Sequence, residues 1–391
     1  MPSFRLAAAA VIAAVGLVQI ANGVIATLIP LALDRAGAPV WSVALVVTAH
    51  AIGFLAGSYL AGSVVARLGH ARAFFAFAGV AATLTLAYLL PADPLGWAIA
   101  RAAIGVCLCG AYVTAESWLN HGAKSGNRGR VMGIYNVVQK LAYAGGQGMI
   151  AAGAPDATFF AIAAAAFAVA ALPIQALGGT PPPASRVGRV SPWAIIRRVP
   201  SATAGCFAAG LINAPVVGMA PLFGTGVGLS EGQSVVLMAA MQIGSMVSQG
   251  PLGWVSDRID RRWVLLGATT LTIAMSAGIA LVERQSVIVL ALMFAAWGSG
   301  ALSIYAICVA QANDHAPRPA MVAISGTLLL LWASGSIVGP LAASAVMSWI
   351  GVGGLFVYAG ALSVVLATLI AWRLHVRPPG APGPWHVPTD R

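Results

Sequence analysis

The chain has 391 residues, of which 59% are hydrophobic and only 8% are charged. Soluble domains carry about 25% charged residues, so this composition excludes a soluble protein and predicts a polytopic membrane protein. The net charge of +11 would suggest a nucleic-acid partner in a soluble protein. In a membrane protein, basic residues collect in cytoplasmic loops, and we therefore expect a lipid bilayer and no nucleic acid as partner.

Apolar stretches follow one another along the chain, each long enough to cross a hydrocarbon core about 30 Å thick as a helix. The first is too long for the apolar core of a signal peptide, which has about 7–15 residues. We expect an all-α fold with twelve transmembrane helices. The predicted spans are residues 5–33, 41–65, 73–91, 96–119, 131–153, 158–177, 203–227, 232–255, 263–282, 287–311, 320–346 and 353–372.

A segment rich in Pro, Gly, Ser and Arg separates the sixth and seventh predicted spans, and this composition is typical of a linker. We therefore expect four parts. They are a six-helix bundle at 1–177, a cytoplasmic linker at 178–200, a second six-helix bundle at 201–376 and a disordered cytoplasmic tail at 377–391.

Lysine and arginine are unevenly divided between the two sides of the membrane. With the N-terminus inside, the cytoplasmic segments hold seventeen of the 21 basic residues, and the outer loops hold only Arg35 and Arg284. This asymmetry predicts a multi-pass protein of the cell inner membrane with both termini in the cytoplasm.

The two halves of the sequence resemble each other. Identical residues recur 193 positions apart in the pairs Gly105 and Gly298, Tyr112 and Tyr305, and Gly146 and Gly339. Others recur 191 positions apart, in the pairs Gly53 and Gly244, and Gly62 and Gly253. Two similar six-span halves joined by a polar linker are typical of secondary transporters, which bind substrate near mid-membrane between the repeats.

Two loops carry a recognisable signature. Gly253–Arg262, GWVSDRIDRR, resembles the G-x-x-x-D-R-x-G-R-R motif of the major facilitator superfamily, with Asp260 in place of the usual glycine. The first-half copy, Gly62–Arg72, has Ala66 where the acid is expected. The resemblance implies that this loop gates access. The implied gating residues are Arg67, Arg72, Asp257, Arg258, Arg261 and Arg262.

Further motifs of the same family lie in the expected spans. Arg101-x-x-x-Gly105 resembles its Arg-x-x-x-Gly motif, and Gly335–Pro340 resembles its Gly-x-x-x-Gly-Pro motif. The AESWLN and NRGR segments are similar to the YcaD-like branch. The resemblance covers essentially the whole chain and implies two pseudo-symmetric six-helix bundles.

Three charged residues, Arg101, Glu116 and Lys140, lie inside predicted spans. A charge within a bilayer costs at least about 2.5–3.5 kcal/mol, so each is a candidate functional residue. Lys140 is the candidate ligand for a carboxylate or phosphate, although it could instead pair with Glu116. The family resemblance implies proton coupling or cavity stabilisation for Arg101, which could instead extend to the outer interface. Glu116 is either a proton carrier or a partner for Arg67 and Arg72 that replaces the missing acid.

Neutral polar residues extend this set. His50 could titrate near neutral pH and is a further proton-coupling candidate, although a lone histidine on an apolar helix is usually a packing residue. The expected substrate ligands beside Arg101 and Lys140 are Asn22, Tyr112, Asn136, Asn213, Gln242 and Tyr305. Several methionines in span eight could suit Cu(I), but no Cys or His cluster accompanies them, so we expect no metal and no cofactor.

These features favour a monomeric secondary transporter that moves a small organic solute by alternating access, coupled to protons. The buried cations favour an anionic or zwitterionic substrate, and a proton-driven multidrug efflux pump is the alternative. A transport-inactive receptor or assembly factor is also compatible with the lost acid at Ala66. No nucleophile and base pair points to an enzyme, and no G-x-x-x-x-G-K-[ST] sequence points to ATP.

Overall fold

The computed structural model describes residues 4–122, 127–175, 196, 199–281, 286–314 and 318–376. The predicted tail at 377–391 and most of the predicted linker at 178–200 lie outside the described residues. The secondary structure of the described part of the chain consists of helices alone, so the all-α prediction is confirmed.

Long helices account for nearly all of the described chain. In order they are α1 Phe4–Arg35, α2 Val40–Leu68, α3 His70–Thr85, α4 Pro94–Gly122, α5 Arg128–Met149, α6 Asp156–Val169, the short α7 Leu172–Gln175, α8 Pro200–Gly226, α9 Glu231–Ser256, α10 Arg261–Ala280, α11 Val287–Ala301, α12 Ile304–Asn313, α13 Arg318–Ile350 and α14 Gly354–Val376. The helices α6 and α7 form one predicted span, and α11 and α12 form another.

Eleven described helical stretches are long and apolar enough to span a membrane, against the twelve spans expected. The stretch that falls short of this criterion is α5, Arg128–Met149. Polar residues reduce its hydropathy, among them Asn136, Gln139 and Lys140. The helix nevertheless forms over the predicted range, and its polar residues belong to the candidate site described below.

The chain divides into two compact units. The first comprises Met1–Ser185 and Gly224–Ala239, and the second comprises Arg186–Phe223 and Ala240–Arg391. The segment Gly224–Ala239, which joins the end of α8 to the start of α9, therefore groups with the first unit. The predicted domains assign this segment to the second bundle, 201–376, and the predicted boundaries stay a prediction.

Glycines let the backbones of paired helices touch within the first unit. A Cβ atom added to Gly53 on α2 would lie 1.8 Å from the carbonyl oxygen of Ala102 on α4. One added to Gly105 on α4 would lie 2.5 Å from the carbonyl oxygen of His50 on α2. Such distances are impossible for real side chains, so only glycine permits this approach of small-residue membrane helices.

The second unit repeats this packing. A Cβ added to Gly244 on α9 would lie 1.9 Å from the Ala295 carbonyl oxygen on α11, and one added to Gly298 would lie 2.1 Å from that of Met241. Each of these four residues follows its counterpart in the α2–α4 pair by 191 or 193 positions. The weak sequence repeat therefore corresponds to an equivalent set of backbone contacts in each unit.

Candidate substrate site in the first unit

A chain of hydrogen bonds joins α4, α1 and α5 within the first unit. The Arg101 guanidinium donates through Nη2 to Asn22 Oδ1 (3.0 Å), and Asn22 Nδ2 donates to Gln19 Oε1 (3.4 Å). Gln19 Nε2 then donates to Gln139 Oε1 (2.9 Å), and the Tyr112 hydroxyl also donates to Gln19 Oε1 (3.0 Å). The amides of Asn22 and Gln19 in this relay donate in the direction away from Arg101, so their dipoles are aligned with its positive charge.

The packing of α1 against α5 holds this relay in place. A Cβ on Gly23 would lie 2.2 Å from the Tyr143 carbonyl oxygen, and a Cβ on Gly146 would lie 2.1 Å from that of Ile20. The backbones therefore touch one residue away from Asn22 and Gln19. This close approach brings the amide side chains of α1 within hydrogen-bond reach of α5.

Arg101 is the buried charge of the site. Its exposed fraction is 5%, and its Nη1 atom has no hydrogen-bond partner in the described part of the chain. Its titratable neighbours are the phenols of Tyr88, Tyr112 and Tyr143 and the imidazole of His50. No ion pair to Arg101 is present among the described residues, so its charge is balanced only by neutral dipoles.

Further buried polar groups of the first unit have no hydrogen-bond partner within the described residues. Both amide atoms of Gln147 are buried and unpartnered within the described residues, and so is Nδ1 of His50. Gln147 follows Gly146, which packs on α1, and its backbone nitrogen faces Gly23. Unsatisfied buried donors and acceptors each cost about 1–3 kcal/mol, so a polar ligand that reached these groups would offset that cost.

The remaining charged candidates lie on more accessible faces. Lys140 is half-buried on α5, immediately after Gln139, while Asn136 on the same helix is exposed. Glu116 is exposed on α4, and its Oε1 accepts a hydrogen bond from the buried Tyr135 hydroxyl at 3.3 Å. Among the described residues, neither Arg67 nor Arg72 pairs with Glu116, contrary to the suggestion that Glu116 replaces the acid lost at position 66.

Three predicted ligands lie in the second unit, where they make their own contacts. Asn213 is buried, its Nδ2 donates to the Ala301 carbonyl at 3.1 Å, and its Oδ1 has no partner within the described residues. The Tyr305 ring packs against Trp332 with centroids 6.0 Å apart, and Gln242 is half-buried on α9. The structure does not join them to one another by hydrogen bonds between their side chains.

The predicted gating loop of the second unit forms ion pairs. Arg261 pairs with Asp257 at 3.0 Å and with Asp314 at 2.8 Å, and Arg262 pairs with Asp260 at 2.6 Å. Asp260 also caps α10, because its carboxylate accepts from the Arg262 backbone nitrogen at 2.9 Å. The acid at the usual glycine position is therefore a helix N-cap.

The other signature arginines are placed differently. The Arg258 guanidinium lies 3.8 Å from the centroid of the Trp254 ring and donates to the Trp254 carbonyl. In the first-half copy, Arg67 and Arg72 are exposed, and the buried His70 lies 3.1 Å from the Ser117 hydroxyl.

The predicted set of ligands omits several residues that the structure places in or near the site. Gln19 is the centre of the relay, and its spacing of three from Asn22 on one helix was the available signal. Gln139, Tyr143 and Gln147 recur at intervals of four on α5, which marks one face of that helix. Arg35, at the predicted outer end of α1, was assigned only to a loop, yet its guanidinium contacts two carboxylates.

Those carboxylates belong to the first turns of α6 and α9. Arg35 Nη2 lies 2.5 Å from Asp156, and Arg35 Nη1 pairs with Glu231. The neighbouring Asp34 accepts a hydrogen bond from the Thr225 hydroxyl at 3.0 Å. These contacts hold the segment Gly224–Ala239 within the first unit.

Comparison with known proteins identifies the family. The profile described as Major Facilitator Superfamily matches residues 11–336 and 228–389. The chain belongs to the major facilitator superfamily. The signature loops and the paired glycine contacts are thus features of a membrane transporter, and the superfamily consists of transporters and not of enzymes.

Two curated relatives extend over nine-tenths of the chain. It is 24% identical over 359 residues to an uncharacterized MFS-type transporter of Yersinia enterocolitica, covering 90% of this chain and 92% of that protein. It is 23% identical over 357 residues to the uncharacterized MFS-type transporter YcaD of Escherichia fergusonii, with the same coverage. The resemblance to YcaD is therefore confirmed.

Solved structures show the same fold. A bacterial homolog of the human lysosomal transporter Spinster superposes with a TM-score of 0.77 at 15% identity, covering 96% of this chain and 97% of that one. The nucleoside transporter NupG superposes with a TM-score of 0.78 at 13% identity, covering 94% and 98%. At this level of identity the similarity concerns the fold alone.

Proposed function

We propose that this superfamily member is a secondary active transporter of the inner membrane that moves a small anionic or zwitterionic organic solute by alternating access, coupled to protons. The supporting observation is Arg101, a buried cation with an unpartnered Nη1 and no ion pair in the described chain. An uncompensated buried charge is costly, and an anionic group of the substrate would offset that cost.

Lys140 would supply the second positive group. It follows Gln139, where the relay from Arg101 ends, so both cations act on the same stretch of α5. Its compact ammonium suits a carboxylate or phosphate as a point charge. Asn22, Tyr112, Asn136 and Gln147 would then orient the neutral part of the solute through hydrogen bonds.

Glu116 would carry the proton. Its carboxylate is accessible, and its hydrogen-bond partner in the described chain is the neutral Tyr135 hydroxyl. A carboxylate that is not held ionised by an arginine or lysine can bind and release a proton during the cycle. The carboxyl group would thereby link the proton gradient to solute movement.

The test is solute flux in proteoliposomes with an imposed pH gradient. We expect Lys140→Ala to weaken uptake of anionic solutes, and Glu116→Gln to support exchange of solute without a response to the gradient. Glu283→Gln, the same change at a position that we predict to lie in an outer loop, is the control and should leave both properties intact. If Lys140→Ala and Glu116→Gln both transport normally with an unchanged pH response, the proposed site is wrong.

A proton-driven efflux pump for lipophilic cations is the competing function, because the accessible Glu116 carboxylate could also bind a cation. Competition decides between the two: organic anions should inhibit flux under the main proposal, and lipophilic cations should inhibit it under the alternative. A receptor or assembly factor predicts no flux for any solute, so a robust flux eliminates that class.

A further inference from the structure

A groove on the second unit lies outside the candidate site. It has a volume of about 450 Å³ and is formed by the first turns of α8, the middle of α13 and the last turns of α14. Its lining residues include Phe207, Leu331, Leu369, Trp372, Thr203 and Arg373. Pro200, where α8 begins, and Arg373, near the end of α14, both belong to the lining, so the groove lies at the end of the unit that we predict to be cytoplasmic.

The groove is apolar along most of its length and basic at one end. Phe207 is 36% exposed and Trp372 is 54% exposed, so the apolar surface is open. The Thr203 hydroxyl bonds to the Pro200 carbonyl at 3.0 Å and therefore adds little polarity. The Arg373 guanidinium lies 5.7 Å from the Trp372 ring centroid, which places the positive charge beside the aromatic group.

A second arginine approaches the same end. Arg262 Nη1 donates to the Arg373 carbonyl oxygen at 3.4 Å, while its other nitrogens bond to Asp260. Its charge is compensated by that carboxylate, whereas the Arg373 side chain itself lines the groove. The combination is an open apolar channel in membrane-spanning helices with an arginine and a tryptophan at the interfacial end.

We propose that this groove binds an anionic phospholipid, with an acyl chain along Phe207, Leu331 and Leu369 and the phosphate on Arg373. The charge complementarity favours this occupant, since basic pockets between transmembrane helices bind anionic headgroups and tryptophan prefers the membrane interface. A soluble solute would leave the long apolar lining without a partner, whereas an acyl chain covers it. The lipid is therefore a resident ligand separate from the transported solute.

The experiment measures lipid retention by the purified full-length protein. The protein is reconstituted with dioleoyl phosphatidylglycerol or dioleoyl phosphatidylcholine, returned to detergent, and analysed by native mass spectrometry. We expect the wild type to keep phosphatidylglycerol at least about five-fold more than phosphatidylcholine. Arg373→Gln should abolish this preference, and Arg373→Lys should keep most of it, because the charge remains.

A second variant tests the apolar part of the groove. Leu331→Trp fills it and should reduce retention of phosphatidylglycerol, while Val365→Trp, a matched change at a 66% exposed position of α14, should not. Arg377→Gln, which removes a charge four residues further on, is the control for net charge. Gel filtration confirms that each variant is folded.

Equal retention of both lipids by the wild type would overturn the proposal. So would retention of phosphatidylglycerol that is unchanged in Arg373→Gln and Leu331→Trp alike. If the chain's own segment 178–195 covered the groove instead, the wild type would keep neither lipid preferentially, and this outcome also refutes the lipid site.

Discussion

The two units share a scaffold but place their charges differently. The glycine contacts of Gly53 with Ala102 and of Gly244 with Ala295 are equivalent, at 1.8 and 1.9 Å for an added Cβ. The buried Arg101 of the first unit corresponds, 193 residues later, to Phe294, which packs 5.2 Å from Phe356 in an aromatic cluster. The repeat therefore preserves packing and leaves the chemistry free to differ.

Other positions of the site show the same difference. The relay residue Gln139 corresponds to Trp332, Lys140 corresponds to Ala333, and Glu116 corresponds to Val309. Trp332 packs against Tyr305 where the first unit has hydrogen bonds between amides. The corresponding positions are therefore polar or charged in the first unit and apolar in the second.

At the turn between α9 and α10 the relation is reversed. The second unit has the linked ion pairs of Asp257, Arg261 and Asp314, where the first unit has Ala66, His70 and His121. At this turn the second unit therefore has linked ion pairs, and the corresponding positions of the first unit hold an alanine and two histidines.

The largest effect should come from removing the buried charge. We expect Arg101→Gln to reduce solute flux at least about 100-fold, since hydrogen bonds to a charged group contribute about 1.5–3 kcal/mol each and the relay would lose its donor. Initial rates in proteoliposomes measure this change. Arg284→Gln, which changes an arginine that we predict to lie in an outer loop, is the control. Flux retained within about three-fold in Arg101→Gln would contradict the placement of the site.

Replacing a contact glycine by alanine should destabilise the two units to the same extent. We expect Gly53→Ala and Gly244→Ala each to destabilise the protein by about 1–3 kcal/mol or more, because the methyl group meets a backbone carbonyl that cannot move aside. Thermal unfolding in detergent measures the loss.

Gly62→Ala and Gly253→Ala form the matched control pair. An added Cβ meets no atom within 4 Å at either position, so these variants should be neutral or slightly stabilising. A large difference between Gly53→Ala and Gly244→Ala would show that the two scaffolds are not equivalent.

Replacing the two equivalent tyrosines, Tyr112 and Tyr305, by phenylalanine should change KM unequally. Tyr112→Phe removes a hydrogen bond to Gln19, and we expect about 1 kcal/mol of lost substrate affinity, or about a five-fold higher KM. Tyr305→Phe keeps the ring contact with Trp332, and its KM should change less than about two-fold. Equal effects of the two variants would mean that both units recognise the solute to the same extent.

The smallest expected effect is the loss of stability on replacing Asp260, the acid that stands where the family motif has glycine. The Arg262 guanidinium holds the pKa of the Asp260 carboxyl below its usual value. A lowered pKa in the folded state stabilises the protein above the ordinary pKa of aspartate, and this contribution is lost as the pH falls through the lowered value.

Asp260→Ala should therefore cost about 1 kcal/mol at neutral pH through the lost cap, and less in acid. Thermal unfolding between pH 3 and pH 7 measures the difference. A penalty that is constant over this range would show that the ionised carboxylate is not what stabilises the turn.

The sequence was sufficient for the fold because hydropathy and loop charge act over whole helices. Arg101, Glu116 and Lys140 also stood out, since charges inside apolar stretches are visible without coordinates. The relay could not be predicted, because Gln19 and Gln139 meet only when the glycines of α1 and α5 bring their backbones together. The α5 helix is less apolar than the other predicted spans because it carries polar residues such as Asn136, Gln139 and Lys140.

The one-way order of the relay has a consequence for inhibitor chemistry. The Oε1 atom of Gln139 accepts from Gln19, so the group that Gln139 could offer to a ligand of the proposed site is its NH₂ donor. A neutral molecule with a well-placed carbonyl, sulfone or N-oxide oxygen would therefore accept from this donor without reaching Arg101. Uncharged acceptor-rich compounds, which cross the bilayer more readily than anions, are accordingly the blockers with which to begin.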